Sequence, residues 1–181
     1  MKKTLTILLL LVSLLGLTGC GSTSMMDEYI FGSRVLTHGA STIEVALPFD
    51  LAEGNPKDAV MKGMTPEKVF VNMDKHLVMQ IVAQDKVTIS AEAFTKEQLD
   101  SFKLNPQLSG VEGSIKDVTS NGISMQQLVV RYKAQQVPLT LVQYNFVDQG
   151  VLWSITYRTT QTDSLGLEVM KYIGGKIQRV Q

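Results

Sequence analysis

A stretch of strict alternation near the end of the chain constrains the fold more than any other feature. From Val151 to Tyr157 apolar side chains occupy every second position, while Ser154, Thr156 and Arg158 have the opposite parity. This period of two is that of a β-strand, whose successive side chains point to opposite faces of a sheet. The pattern therefore predicts a sheet with one packed face and one less packed face.

Similar patterns elsewhere predict an antiparallel sheet. A turn at 38–40 joins a first strand pair, a hairpin follows, and a four-stranded meander begins after Gly110. The pair Asn121-Gly122 is a strong hairpin signal. The predicted strands span 29–37, 42–47, 69–73, 77–83, 111–119, 123–133, 139–147 and 151–159.

One strand of this meander changes parity along its length. Ile123 and Met125 are out of phase with the apolar positions at 128–132. We therefore expect a β-bulge near residues 126–127, because one extra residue would restore the phase.

Two helices have clear boundary signals. Thr95 and Gln98 form a capping box, and Phe94 and Leu99 occupy the positions of a hydrophobic staple. This helix is expected to end before the Asn-Pro pair at 105–106, since the residue before proline is pushed out of helical geometry.

The second helix is predicted at 163–174, with Asp163 or Ser164 as its N-cap and an apolar stripe along one side. A short third helix could begin at the Asn-Pro pair 55–56. Residues from Lys176 onward are expected to form a tail.

The N-terminal region resembles a bacterial lipoprotein signal. Lys2 and Lys3 precede an apolar run at 4–15, which is too short to span a bilayer comfortably. Leu17-Thr18-Gly19-Cys20 then matches the lipobox of that family. The alternative is that Cys20, the only cysteine, is a stray thiol at the end of a transmembrane helix.

The lipobox resemblance implies diacylglycerol attachment to Cys20, cleavage before it, and acylation of the new amino group by a fatty acid such as palmitate. Two or more acyl chains would anchor the protein stably in a membrane. Gly21 in place of an aspartate resembles lipoproteins of the outer membrane. In a cell with one membrane the anchor would lie on the outer face of the plasma membrane.

These signals divide the chain into three parts. Residues 1–19 are the signal peptide, residues 20–27 are the lipidated N-terminus and a flexible spacer, and residues 28–181 form a single α+β domain. Loss of the signal removes Lys2 and Lys3 from 17 basic residues, leaving 15 against 17 acidic residues. A net charge of −2 without clustered charge argues against a nucleic-acid partner.

Motifs for catalysis or cofactor binding were not found in the sequence. There is no Gly-x-Ser-x-Gly, P-loop or dinucleotide fingerprint. His38 and His76 fall in predicted turns, so no zinc site and no cofactor is expected. Methionine sulfur can bind copper, but core packing is the expected role for Met61, Met64, Met73 and Met79. Trp153 is likewise expected in the core.

The order of elements as a whole resembles the PsbP-like fold, which includes DcrB-type bacterial lipoproteins. The resemblance covers roughly residues 28–175 and includes the run 150–158 that leads into the last helix. It implies a central antiparallel β-sheet flanked by helices on both faces. Members of such a family mostly bind or scaffold other proteins, and the resemblance carries over no catalytic residue.

Three functions remain open from the sequence. The first is a non-catalytic lipoprotein of the cell envelope that binds a protein partner. The second is a lipoprotein that holds a small molecule or metal in a cavity between sheet and helix, which requires several hundred Å³ and convergent polar groups. The third is a hydrolase, which requires a carboxylate or histidine with a perturbed pKa in a cleft.

Overall fold

The computed structural model describes residues 32–47, 52–55, 68–73 and 77–180. Ten strands and two helices lie in these ranges, which confirms the α+β class. The elements are β1 (Gly32–His38), β2 (Ser41–Leu47), β3 (Ala52–Glu53), β4 (Lys68–Met73), β5 (Val78–Gln84), α1 (Ala91–Leu104), β6 (Leu108–Ser120), β7 (Ile123–Ala134), β8 (Val137–Asp148), β9 (Val151–Thr160), α2 (Ser164–Ile173) and β10 (Ile177–Arg179).

The strands form two antiparallel sheets. The larger sheet has seven strands in the order β3-β4-β5-β9-β8-β7-β6, and the smaller one has the order β1-β2-β10. The two predicted hairpins and the meander are confirmed by this pairing. Asn121 and Gly122 both have positive φ, as a tight hairpin turn between right-twisted strands requires.

The central strand β9 is buried on both sides, so the prediction of one less packed face was wrong. On one face Trp153 and Ile155 join the main core with residues of α2 and the smaller sheet. On the opposite face Leu152 packs with Phe94 of α1. Ser154 is also fully buried there. Ser154 and Thr156 therefore face the covering helix α1, whereas Arg158 near the end of the strand is exposed.

Strand β7 changes parity without the bulge that was expected near residues 126–127. Pairing with β6 is continuous through Gln126 and Gln127, and the register shifts instead between Ser109 and Glu112. The reason is that the covering elements differ along the strand. Ile123 belongs to the main core on one face, and residues 128–132 contribute to a second cluster beneath α1 on the other.

Helix α1 begins five residues earlier than its capping box predicted. Ser90 is the N-cap, and its Oγ accepts a hydrogen bond from the Ala93 N–H at 3.1 Å. Thr95 lies inside the helix, where its Oγ1 donates to the Ala91 carbonyl at 2.6 Å. The predicted end before Asn105 is confirmed.

The C-terminal residues form a third strand of the smaller sheet, so the prediction of a tail was wrong. Ile177 of β10 pairs with Val45 and is buried. The Ser120 Oγ donates to the Ile177 carbonyl at 2.9 Å, which ties β10 to the turn between β6 and β7. Helix α2 is confirmed, with Asp163 as its N-cap.

The remaining predicted helix, from the Asn-Pro pair 55–56, lies outside the described residues apart from Asn55. Just before it, β3 pairs with β4 as a short strand that the sequence analysis did not anticipate.

Hydrogen bonds among three buried polar side chains and the exposed Arg179 connect the two sheets. The Trp153 indole N–H donates to the Ser41 Oγ at 2.9 Å, and the Ser41 hydroxyl donates to the Asp148 Oδ2 at 2.7 Å. The Arg179 Nε donates to the other Asp148 oxygen at 2.6 Å. Trp153 is fully buried, which confirms its predicted place in the core. These hydrogen bonds join β2, β8, β9 and β10.

Candidate functional site

A cavity of about 370 Å³ lies between α1 and the face of the large sheet that this helix covers. Its volume is within the range of small-molecule sites, roughly 300–1,000 Å³. Its walls are Gln80, Gln98, Ser101, Phe102, Asn105, Leu108, Tyr132, Ala134, Leu139, Leu141, Gln143, Thr156 and Arg158. We call this space the helix–sheet cavity.

Helix α1 supplies one wall of the helix–sheet cavity. Gln98, Ser101, Phe102 and Asn105 are spaced at i, i+3, i+4 and i+7, so they share one face of the helix. The first half of α1 is anchored more deeply, since Phe94 is fully buried. The cavity therefore opens beneath the C-terminal half of the helix.

The strands supply the floor through side chains at alternate positions. Thr156 and Arg158 come from β9, Leu139 and Leu141 from β8, and Tyr132 from β7. Each set lies on the sheet face covered by α1, because side chains two residues apart along a strand point the same way.

Tyr132 and Arg158 interact across the cavity floor. Tyr132 is almost buried, and its ring lies 5.3 Å from the Phe102 ring. Burial raises the pKa of the Tyr132 phenol, and the Arg158 guanidinium, which hydrogen-bonds with it, offsets part of that rise. The phenol is therefore neutral at pH 7 and is available as a hydrogen-bonding group.

A network of buried polar side chains continues from the inner end of the cavity. The Gln143 amide donates to the Thr156 Oγ1 at 3.1 Å. The Asn145 amide donates to the Gln143 Oε1 and to the Thr95 Oγ1, at 2.9 Å in both cases. This network fixes the amide of Gln143 at the cavity wall through Thr156 on β9 and Asn145 on β8, and Asn145 in turn links it to Thr95 of α1.

Two polar atoms of this region have no hydrogen-bond partner among the described residues, namely the Asn145 Oδ1 and the Ser154 Oγ. Both residues are fully buried and lie opposite each other in the β8–β9 register. An unpartnered buried polar atom destabilises a protein by about 1–3 kcal/mol.

We expect Ser154→Ala to leave the free energy of unfolding unchanged or to raise it by about 1 kcal/mol, because it removes an unpartnered hydroxyl. Asn145→Ala should instead lower it by about 2 kcal/mol, since Thr95 and Gln143 lose a donor. Urea denaturation of both variants checks this. A loss above about 1 kcal/mol in Ser154→Ala would show that its hydroxyl is hydrogen-bonded in solution.

The residues singled out from the sequence either do not line this cavity or fall outside the described residues. Cys20, His76, Met61 and Met64 fall outside the described residues. His38 ends β1, whereas the sequence placed it in the turn. Among methionines of the described part, Met79 is fully buried in the core, as expected.

The described ranges lack two features that would point to a metal site or a membrane span. The described residues contain no group of three or more His, Cys, Asp or Glu side chains that could hold a metal ion. Neither α1 nor α2, the two helices of the described residues, is long and apolar enough to cross a membrane.

The cavity residues were not identified from the sequence, although part of the signal was present. Thr156 and Arg158 were noted as the polar side of β9. Gln143 lies on the same sheet face as Thr156, the face that α1 covers, because the two residues are directly paired between β8 and β9. Polar residues at paired positions of two central strands are a usable signal, but only once the strand register is known.

A second hollow of about 310 Å³ lies at the edge of the smaller sheet. Asp148 and Arg179 line it, but these two side chains pair with each other. Their charges are thus already compensated, which makes the helix–sheet cavity the better candidate site.

The fold is similar to that of LpqN, a protein involved in cell envelope biogenesis in Mycobacterium tuberculosis. The crystal structure of LpqN matches with 14% sequence identity and a TM-score of 0.51, over 86% of this chain and 95% of LpqN. PA94, a protein of unknown function from Pseudomonas aeruginosa, matches with 13% identity and a TM-score of 0.44, over 77% and 88% of the two chains. No protein-family model and no curated protein matches the chain. The likeness to LpqN shows a shared fold.

Proposed function

We propose that this chain is a lipid-anchored protein of the bacterial cell envelope that binds a small molecule in the helix–sheet cavity, without catalysing a reaction. The observation that carries the proposal is the cavity itself. It combines about 370 Å³ of space with amide and hydroxyl groups from α1 and four strands. Such a combination of apolar walls and a few fixed polar groups is typical of ligand sites.

The envelope location is supported by two independent features. The lipobox ending at Cys20 predicts export and lipidation. LpqN, which shares the fold, is involved in cell envelope biogenesis. The PsbP-like and DcrB-like resemblance is part of the same proposal, and it favours a domain that binds over one that catalyses.

Binding is favoured over hydrolysis by the composition of the cavity walls. Among the residues that line the helix–sheet cavity, none is a carboxylate or a histidine. Glu44 has a lowered pKa, but its causes are hydrogen bonds from Ser33 and Gln178 on an exposed surface. A general acid or base would have to lie within reach of a bound substrate.

Binding to an envelope protein is the second candidate, and one observation favours it. Strand β6 is 13 residues long and forms an edge of the seven-stranded sheet among the described strands. An edge of this length can pair with an extended segment of another chain. Glu112, Lys116 and Asp117 along it limit non-specific pairing, because charges on an edge strand oppose aggregation.

Affinity capture of the full-length protein from its own membrane separates these candidates. We expect a small molecule to co-purify and to be lost when Ala134 or Ser101, on opposite walls of the cavity, is replaced with tryptophan. Mass spectrometry of small molecules and proteins in each eluate provides the measurement. Recovery of a protein partner that both tryptophan variants retain, with no small molecule, would favour the second candidate.

The anchor is tested separately. We expect Cys20→Ala to abolish incorporation of labelled palmitate in cells, because the thioether and the new amino terminus both depend on this residue. Full-length Ser22→Ala is the matched control and should be labelled normally. Unchanged labelling of Cys20→Ala would refute lipidation at this position.

A further inference from the structure

We propose that the helix–sheet cavity takes an amphiphilic anion, meaning a carboxylate or phosphate group attached to a compact apolar body. This inference rests on the proposed function and specifies the chemistry of its ligand.

The polar and apolar residues of the cavity are separated by strand. Gln80 of β5 and Thr156 and Arg158 of β9 lie on one side of the floor. Leu108 of β6 and Ala134 of β7 lie on the other side, and the polar group that these two strands add is the Tyr132 hydroxyl, which points to Arg158 through a hydrogen bond. The intervening strand β8 changes from Gln143 to the leucines at 141 and 139 along its length. A ligand that satisfies both sides must have a polar end and an apolar end.

Charge decides which polar end fits. Arg158 is the only charged residue among those that line the cavity. Its guanidinium presents several donors in a planar fork, which matches the oxygens of a carboxylate or phosphate. A ligand with a positive charge would meet no carboxylate on these walls and would be repelled by Arg158.

The position of the anion within the cavity is also restricted. Arg158 is the one charged group on the walls, and its guanidinium hydrogen-bonds with Tyr132. The anion is therefore placed beside Arg158, where the Tyr132 hydroxyl offers a further hydrogen bond.

The apolar end fits beneath the second half of α1. Phe102, Leu139 and Leu141 enclose this part of the cavity together with the ring of Tyr132. A volume of about 370 Å³ lies near the lower end of the range for small-molecule sites, so a short chain or a single ring fits this space.

Calorimetric titration of the full-length protein in one nonionic detergent tests the inference with a matched set of probes. Octanoate, octanol and octylamine share one chain and differ in charge, and acetate has the anion without the chain. Octyl phosphate distinguishes a phosphate preference from a carboxylate preference. Arg158→Gln removes the charge, while Ala134→Trp and Ser101→Trp fill the cavity from opposite walls. Probe partitioning into micelles cancels when variants are compared in the same detergent, and affinities of different probes are compared after correction for the partition coefficient measured for each probe.

We expect octanoate or octyl phosphate to bind more tightly than octanol, and octylamine and acetate to bind weakest. Arg158→Gln should weaken binding of the anionic probes by about tenfold and should leave binding of octanol unchanged. The effect is limited to this size because Arg158 is exposed and its charge is partly screened. Equal binding of octanol and octanoate, or tighter binding of octylamine, would overturn the anion assignment while the cavity function stands. If no probe binds, or if neither tryptophan variant reduces binding, the cavity function itself fails. Thermal melts establish that each variant is folded.

Discussion

Replacing Ser41 with alanine is expected to lower the free energy of unfolding by about 2–4 kcal/mol, although only one oxygen atom is lost. That oxygen accepts the Trp153 indole N–H and donates to Asp148, and all three residues are buried. The substitution leaves a buried donor and a buried carboxylate oxygen without this partner. Chemical denaturation followed by tryptophan fluorescence measures the change, because Trp153 is the only tryptophan.

Ser33→Ala is the matched control for this prediction. Ser33 is also a strand serine of the smaller sheet, but it is exposed and its hydroxyl donates to the exposed Glu44. We expect its loss to change stability by less than about 0.5 kcal/mol. Equal effects of the two serine substitutions would contradict a stabilising role for the buried hydrogen bonds that join Ser41 to Trp153 and Asp148.

Replacing Phe94 with alanine is expected to lower the free energy of unfolding by about 3–5 kcal/mol. The ring is fully buried against Val82 and Leu152, where it holds the first half of α1 on the sheet. Leu104→Ala at the other end of the helix is the control. Its side chain is 74% exposed, so we expect little change.

Amide hydrogen exchange gives this second prediction a further readout. Because α1 forms one wall of the helix–sheet cavity, Phe94→Ala should reduce protection along 91–104 and weaken ligand binding together. Unchanged protection of α1 in the variant would show that the helix is held by other contacts.

Local signals in the sequence predicted those elements whose determinants are themselves local. The alternation around Trp153 located β9, Asn121-Gly122 located a hairpin, and Asp163 located the start of α2. Each depends on residues within one turn or one strand. The capping box misplaced the start of α1 because Ser90 and Thr95 are both suitable N-caps. The choice between them depends on the packing of Phe94 against the sheet, which is not a local signal.

Long-range packing accounts for what the sequence did not show. Ile177 and Val180 are isolated apolar residues in a polar segment, and the burial of Ile177 depends on Val45 and on the distant Ser120. Gln143 and Thr156 meet only because β8 and β9 pair in a particular register. The polar face of β9 looked solvent-facing because nothing local indicates that α1 covers it.

The proposed function joins two features that lie at different levels of the chain. The lipobox ending at Cys20 predicts where the protein is held, and the helix–sheet cavity is where we propose that its domain binds a ligand. A tethered domain with a polar-lined cavity can present or carry a small envelope molecule near the membrane surface. The edge strand β6 offers a route by which such a domain could also meet a protein.

Site-specific photocrosslinking in living cells tests the central claim most directly. A small diazirine amino acid at Ser101, on the cavity wall, should capture a small molecule, detected as a mass increase of the purified protein. The same amino acid at Ser114, which is exposed on β6, should not capture it. A small adduct at Ser101 alone is the result we predict. No adduct at Ser101, or the same adduct at both positions, would contradict binding in the helix–sheet cavity.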